Sequence, residues 1–95
     1  MTDINLQSLK STLLNNGVEY AALFGSRARG DNRPDSDLDV LIRFKKDDKS
    51  LLDLIHIENL LSDEFGIKVD LVTEGGMSPY IKPYIIKDLK VIIGN

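Results

Sequence analysis

The sequence predicts a single α+β domain spanning residues 1–95. Three observations predict it. Short runs rich in apolar, β-branched and aromatic residues occur at Val18 to Phe24, Asp37 to Phe44 and Lys68 to Thr73. Amphipathic stretches with helical spacing precede, separate and follow them. A length of 95 residues supports one core and leaves no material for a second.

The elements follow in order. Thr2 or Asp3 is placed to cap a first helix whose stripe is Ile4, Leu6, Leu9, Leu13 and Leu14, and Asn15-Asn16-Gly17 stops it. Val18 to Phe24 reads as a mostly buried strand ending at Gly25. Gly25 to Gly30 leaves it as a tight turn with room for one short helix, and Asp31 to Ser36 is a polar loop holding Pro34. In the strand Asp37 to Phe44, Leu38, Val40 and Ile42 face one way and Asp37, Asp39, Leu41 and Arg43 the other. Lys45 to Lys49 is a solvated turn. Ser50 caps the next helix, Leu51, Leu54, Ile55, Leu61 and Phe65 are its expected core face, and Gly66 ends it. His56, the only histidine, is expected at the surface or boundary. After the third strand, Glu74-Gly75-Gly76 opens a loop, and Ser78-Pro79 is the expected cap and first position of a helix from Tyr80 to Leu89, which Pro83 should kink or delay. Val91 to Ile93 can add a short edge strand.

Composition excludes several classes of function. Hydrophobic residues make up 42% and charged residues 28%, the balance of an ordinary globular domain and not of a disordered tail. The absence of cysteine excludes a disulfide scaffold, a zinc finger and a thiol nucleophile. No run approaches the ~20 apolar residues of a membrane span. The start MTDINLQSLK lacks the layout of a signal peptide, so the expected location is the cytoplasm, with no membrane partner. A net charge of −3 argues against a broad basic face, and direct nucleic acid binding is not expected. All four arginines, Arg27, Arg29, Arg33 and Arg43, nevertheless fall within 17 residues. Something anionic can be handled there.

The chemistry concentrates around them. Asp37 and Asp39, two apart on a strand, project from one face with Cα atoms about 6.5 Å apart. Asp70, central in another apolar strand, completes a three-carboxylate cluster if the two strands are neighbours. Hard oxygen donors without histidine or cysteine suit Mg²⁺, or Mn²⁺, better than zinc. The plainer reading makes these aspartates strand-end and turn residues facing water. Gly25-Ser26, at the exit of a buried strand, favours the first reading, because glycine lets a phosphate approach the backbone and the serine hydroxyl donates to it. Arg27 and Arg29 can add forks toward a nucleotide, or pair with an acid such as Asp31 or Asp35.

GSRARGDNRPDSDLDVLIRF, from Gly25 to Phe44, resembles the signature of the minimal nucleotidyltransferases of the DNA polymerase β superfamily: Gly-Ser, ten residues, then Asp-x-Asp. The resemblance continues through VDLVT, where Asp70 matches the third carboxylate, and through SPYIKPYIIKDLKVIIGN. It implies a fold like the polymerase β palm, a small mixed sheet of three or four strands with helices packed on one face. It further implies that Gly25 and Ser26 hold the nucleotide's terminal phosphates, that Asp37 and Asp39 bind metal, two Mg²⁺ ions in all, and that Asp70 helps activate the attacking hydroxyl. Stand-alone members of this family are commonly antitoxins paired with an all-helical HEPN ribonuclease toxin, to a tyrosine of which they transfer AMP from ATP. The expected function is therefore a Mg²⁺-dependent protein adenylyltransferase in a hetero-oligomer with its toxin. The alternative is a non-catalytic binding module that neutralises its partner by complex formation alone.

Overall fold

Alternation in the central strand sets the architecture, because Leu38, Val40 and Ile42 need a core on one side while Asp39 and Arg43 need solvent or counter-charges on the other. The computed structural model describes residues 4–94. The chain runs α1 (Leu6–Asn15), β1 (Val18–Phe24), α2 (Ser26–Arg29), β2 (Leu38–Phe44), α3 (Leu51–Phe65), β3 (Val69–Thr73), a 3-10 turn (Glu74–Gly76), α4 (Lys82–Lys87) and β4 (Lys90–Ile93). The four strands lie in the order β3-β2-β1-β4. β1 is antiparallel to both β2 and β4, whereas β2 and β3 are parallel, joined by α3 as the crossover that a parallel pair requires.

Helices α1 and α3 pack on one face, as expected. There Leu9, Leu13, Leu38, Val40, Ile42, Ile57 and Leu61 form a closed core. Thr12 and Ser8 of α1 both donate to the Glu64 carboxylate of α3, the former at 2.9 Å, and tie the two helices together. The short α4 rests on the other face, where Leu41, Met77 and Ile85 make a smaller cluster with Phe24, Val72 and Leu89 at its margin. Among the described residues, no helix is long and apolar enough to cross a membrane.

Four local expectations are corrected. The first helix is capped by Asn5, whose Oδ1 accepts from the Ser8 N–H at 3.1 Å; Thr2 and Asp3 lie outside the described residues. Strand β2 starts at Leu38, so Asp37 is the last residue of the preceding loop. On α3, Leu51 (69% exposed) and Ile55 (41%) leave the core and Ile57 enters it. Two apolar stripes overlap at that helix's start, and only the one through Leu54, Ile57, Leu61 and Phe65 continues along the sheet. Ser78-Pro79 opens a turn, in which the Ser78 hydroxyl accepts from the Tyr80 N–H, and α4 starts only at Lys82. Pro83 thus delays that helix and sits in its first turn, where a missing N–H costs no helical bond.

The α3 caps behave as the sequence suggests. Asp53 reaches back to accept from the Ser50 N–H at 2.8 Å, which holds its carboxyl below the usual range, and Gly66 ends the helix at φ 68°. The sheet's two edges differ. Along β3 the Val69 N–H donates to Ser62 Oγ at 3.2 Å and the Leu71 N–H to Glu58 Oε2 at 2.8 Å, so side chains of α3 occupy that edge. At the other edge β4 is a four-residue strand.

Candidate active site

Register brings the predicted acids together. In the β2–β3 pair Asp39 stands opposite Asp70, and in the β1–β2 pair it stands opposite Phe24. One row across three strands therefore ends in two neighbouring carboxylates and the residue before Gly25. The chain turns there at φ 75° and ψ −156°, and an added Cβ on Gly25 would lie 2.5 Å from Asp39 Oδ2. Only glycine fits. Its carbonyl accepts from the Ala28 and Arg29 N–H groups, both at 3.1 Å, which starts α2 immediately beside the acids. The Ser26 and Arg27 amides belong to that first turn, where no helical acceptor exists for them.

Electrostatics make this the least comfortable part of the molecule. Asp39 is half-buried, and burial is the largest cause holding its carboxyl above the ordinary 3.8. Repulsion from Asp70 and then Asp37 adds to the rise, as does a hydrogen bond with Asp70, while Lys68 opposes it. Lys68 Nζ lies 3.9 Å from Asp70 Oδ1. Asp37, exposed at the end of its loop, does not close with the other two into a ready cage: among the described residues, no three acidic, histidine or cysteine side chains stand as a formed metal site. The donor chemistry fits a hard cation nonetheless. The adjacent Asp39 and Asp70 carboxylates present oxygen donors and excess negative charge, with Gly25 leaving space against Asp39.

The arginines divide. Arg29 pairs with Asp31 at 3.1 Å, as one branch of the sequence reading has it, and also with Asp88 at 3.4 Å, which raises its basicity; Asp35 is not its partner. Asp88 is 59 residues away, and no local signal points to it. The Arg27 guanidinium donates to the Ser36 carbonyl, from Nε at 3.3 Å and Nη2 at 3.0 Å, and to the Pro34 carbonyl at 3.3 Å. Arg43, farther along β2, pairs with Glu19 at 2.7 Å and lies 5.2 Å from the Tyr20 ring centroid. His56 is exposed on α3 and takes no part.

The chain is similar to known proteins in sequence and in fold. Residues 6–92 match the model of the nucleotidyltransferase domain. A Methanocaldococcus jannaschii chain assigned as a protein adenylyltransferase is 48% identical over 73 residues, covering 76% of this chain and 74% of that one. The protein adenylyltransferase MntA of Thermococcus cleftensis is 34% identical over 73 residues, 77% of this chain and 73% of its own. The fold also superimposes, with a TM-score of 0.77 at 20% identity, on a chain of the complex between tri-AMPylated Shewanella oneidensis HEPN toxin and its MNT antitoxin, covering 100% of this chain and 74% of that chain. With Gly25 set against Asp39 and Asp39 opposite Asp70 in a four-stranded mixed sheet, and residues 6–92 matching its model, the chain belongs to the nucleotidyltransferase domain family.

Proposed function

We propose that this chain transfers AMP from ATP, or a related nucleotide triphosphate, to a tyrosine hydroxyl of an all-helical HEPN-type toxin, and acts as that toxin's antitoxin in a hetero-oligomer. The observation that carries this reading is the juxtaposition of Gly25 with Asp39 and of Asp39 with Asp70. A phosphate chain laid along Gly25 and Ser26 meets first-turn amides and a hydroxyl that bind anions. It also meets carboxylates that repel it. Asp37, Asp39 and Asp70 would hold two Mg²⁺ ions, with Mn²⁺ as the alternative, whose charge neutralises this conflict and the departing pyrophosphate.

The chain's own groups take separate roles. Gly25 and Ser26 hold the terminal phosphates so that the α-phosphorus faces the acids. Arg29 can turn to them in exchange for its solvent-exposed pair with Asp31. Asp70 accepts the proton of the attacking hydroxyl, whose oxygen bonds to the α-phosphorus while the α–β anhydride bond breaks and pyrophosphate leaves. The attacking hydroxyl must be presented in line with the leaving pyrophosphate, which an ordered side chain on a docked protein achieves. The tri-AMPylated HEPN toxin seen with a structural relative supports that choice of partner, and the cytoplasm, where nucleotide triphosphates are maintained, is the matching location.

Mixing this chain with its HEPN partner, ATP and Mg²⁺ tests the proposal: the partner should gain about 329 Da per AMP in intact mass. Asp39→Asn should stop the gain and leave the complex intact. A partner that stays unmodified yet fully inhibited would replace this reading with that of a binding module.

A further inference from the structure

We infer that Arg27 is a positioning residue, which fixes the peptide that presents Asp37 and acts through the loop backbone instead of through the nucleotide. What Asp37 does rests on the metal reading above; what Arg27 does rests on geometry.

Asp39 and Asp70 are held by the ladder of the sheet, in register with each other. Asp37 precedes Leu38, the first paired residue of β2, so the sheet holds it from one side only, through the Leu38 N–H that donates to the Lys68 carbonyl at 2.9 Å. On its other side its orientation depends on residues 31–36, a loop with Pro34 and no regular structure. Two devices order the end of that loop. Ser36 closes a turn on Arg33, its N–H donating to the Arg33 carbonyl at 3.0 Å and its Oγ accepting from the Arg33 N–H at 2.7 Å. Arg27 then grips the turn from outside. Nε and Nη2 converge on the Ser36 carbonyl, and Nη2 also reaches that of Pro34.

The Ser36 carbonyl belongs to the peptide bond that leads into Asp37. Because that unit is planar, two donors on its oxygen restrict the plane from which Asp37 departs. A planar guanidinium can bring two N–H groups to one oxygen with little freedom lost, which a lysine ammonium on its flexible stem does not reproduce. Arg27 is also the second residue of α2, directly after Gly25-Ser26. The clamp therefore joins the phosphate turn and the least anchored carboxylate into one unit.

The test follows three readouts on the parent chain, Arg27→Gln, Arg27→Lys, Asp37→Asn and the double variant Arg27→Gln/Asp37→Asn. Mn²⁺ binding to nucleotide-free protein, measured by electron paramagnetic resonance, should weaken roughly tenfold in both Arg27 variants, as for other outer-layer partners of metal ligands. The double variant should bind no more weakly than Asp37→Asn alone, because Arg27 acts through Asp37. Amide exchange at Ser36 should quicken in the Arg27 variants while α1 and α3 amides keep their protection. In turnover, kcat should fall while KM for ATP stays within about twofold. A large rise in KM with Mn²⁺ binding and Ser36 exchange unchanged would make Arg27 a phosphate contact and overturn the inference. Failure of the parent chain to bind Mn²⁺ would instead sink the metal reading, and Ser36 exchange alone would then decide on Arg27, faster exchange upholding the clamp and unchanged exchange overturning it.

Discussion

Along β2, Leu38, Val40 and Ile42 turn toward α1 and α3, and Asp39, Leu41 and Arg43 turn toward the side of α4. The first face is sealed. Leu9, Leu13, Leu38, Val40 and Leu61 are all 0% exposed, and among the described residues no polar side chain is buried. The second face carries only the small Leu41, Met77 and Ile85 cluster beside Asp39, whose charge burial and the neighbouring Asp70 disfavour. Stability and chemistry are thus interleaved along the strand with a period of two, and one sheet separates them in space. Concentrating most of the buried apolar side chains on one face leaves part of the other free to hold charge.

Changes on each face break or sharpen that contrast. The largest effect expected is catalytic: Gly25→Ala places a Cβ against Asp39, and Asp39→Asn removes a carboxylate, so each should lower AMP transfer on the order of 10³-fold, about 4 kcal/mol in barrier, in a quantitative mass assay. Either variant with near-parental turnover would mean that the chemistry lies elsewhere. On the sealed face, Leu61→Ala should cost ~2–5 kcal/mol in urea unfolding. Ile85→Ala, in the smaller cluster under α4, should cost less, about 1–2 kcal/mol. Equal losses at the two positions would erase the distinction between the faces.

The smallest effect is opposite in sign. Asp39 has a folded-state pKa raised above its unfolded value near 3.8, chiefly by burial and then by Asp70, so its charge opposes folding at neutral pH. That opposition fades as pH falls through the raised value toward 3.8. In chelator, Asp39→Asn should therefore melt slightly higher than the parent at pH 7, with the gain shrinking in acid. A variant that melted lower at pH 7 would make Asp39 a structural acid.

Much of this was legible in the sequence where local pattern and tertiary demand agree. The alternation from Leu38 to Arg43 marks which side chains face the core, and the glycine after an apolar run marks the exit of β1. The pattern left Asp70 beside Asp39 conditional on the two strands being neighbours, the family resemblance implied it, and the parallel β2–β3 register supplies it. Elsewhere the pattern underdetermines the answer. On α3, Leu51, Ile55 and Ile57 compete for one face, and only the position of the sheet chooses Ile57. The Ser78-Pro79 signal is a valid cap locally, yet Pro83 moves the helix start to Lys82. For Arg29 the local partner Asp31 was legible and the distant Asp88 was not, and for Arg27 the carbonyls of Pro34 and Ser36 are tertiary partners that spacing does not encode.

The α3 side chains along the outer edge of β3 carry a consequence for association. An open strand edge invites pairing with a neighbouring chain, and such pairing pulls on the strand's twist and register. Glu58 and Ser62 already accept from Leu71 and Val69, on either side of Asp70, so an incoming strand finds these two donors taken. Growth of the sheet is thereby discouraged on the side that bears the third carboxylate, and Asp70 keeps its alignment with Asp39 in a crowded solution, where an unguarded edge would leave that alignment at the mercy of whatever chain came to lie against it.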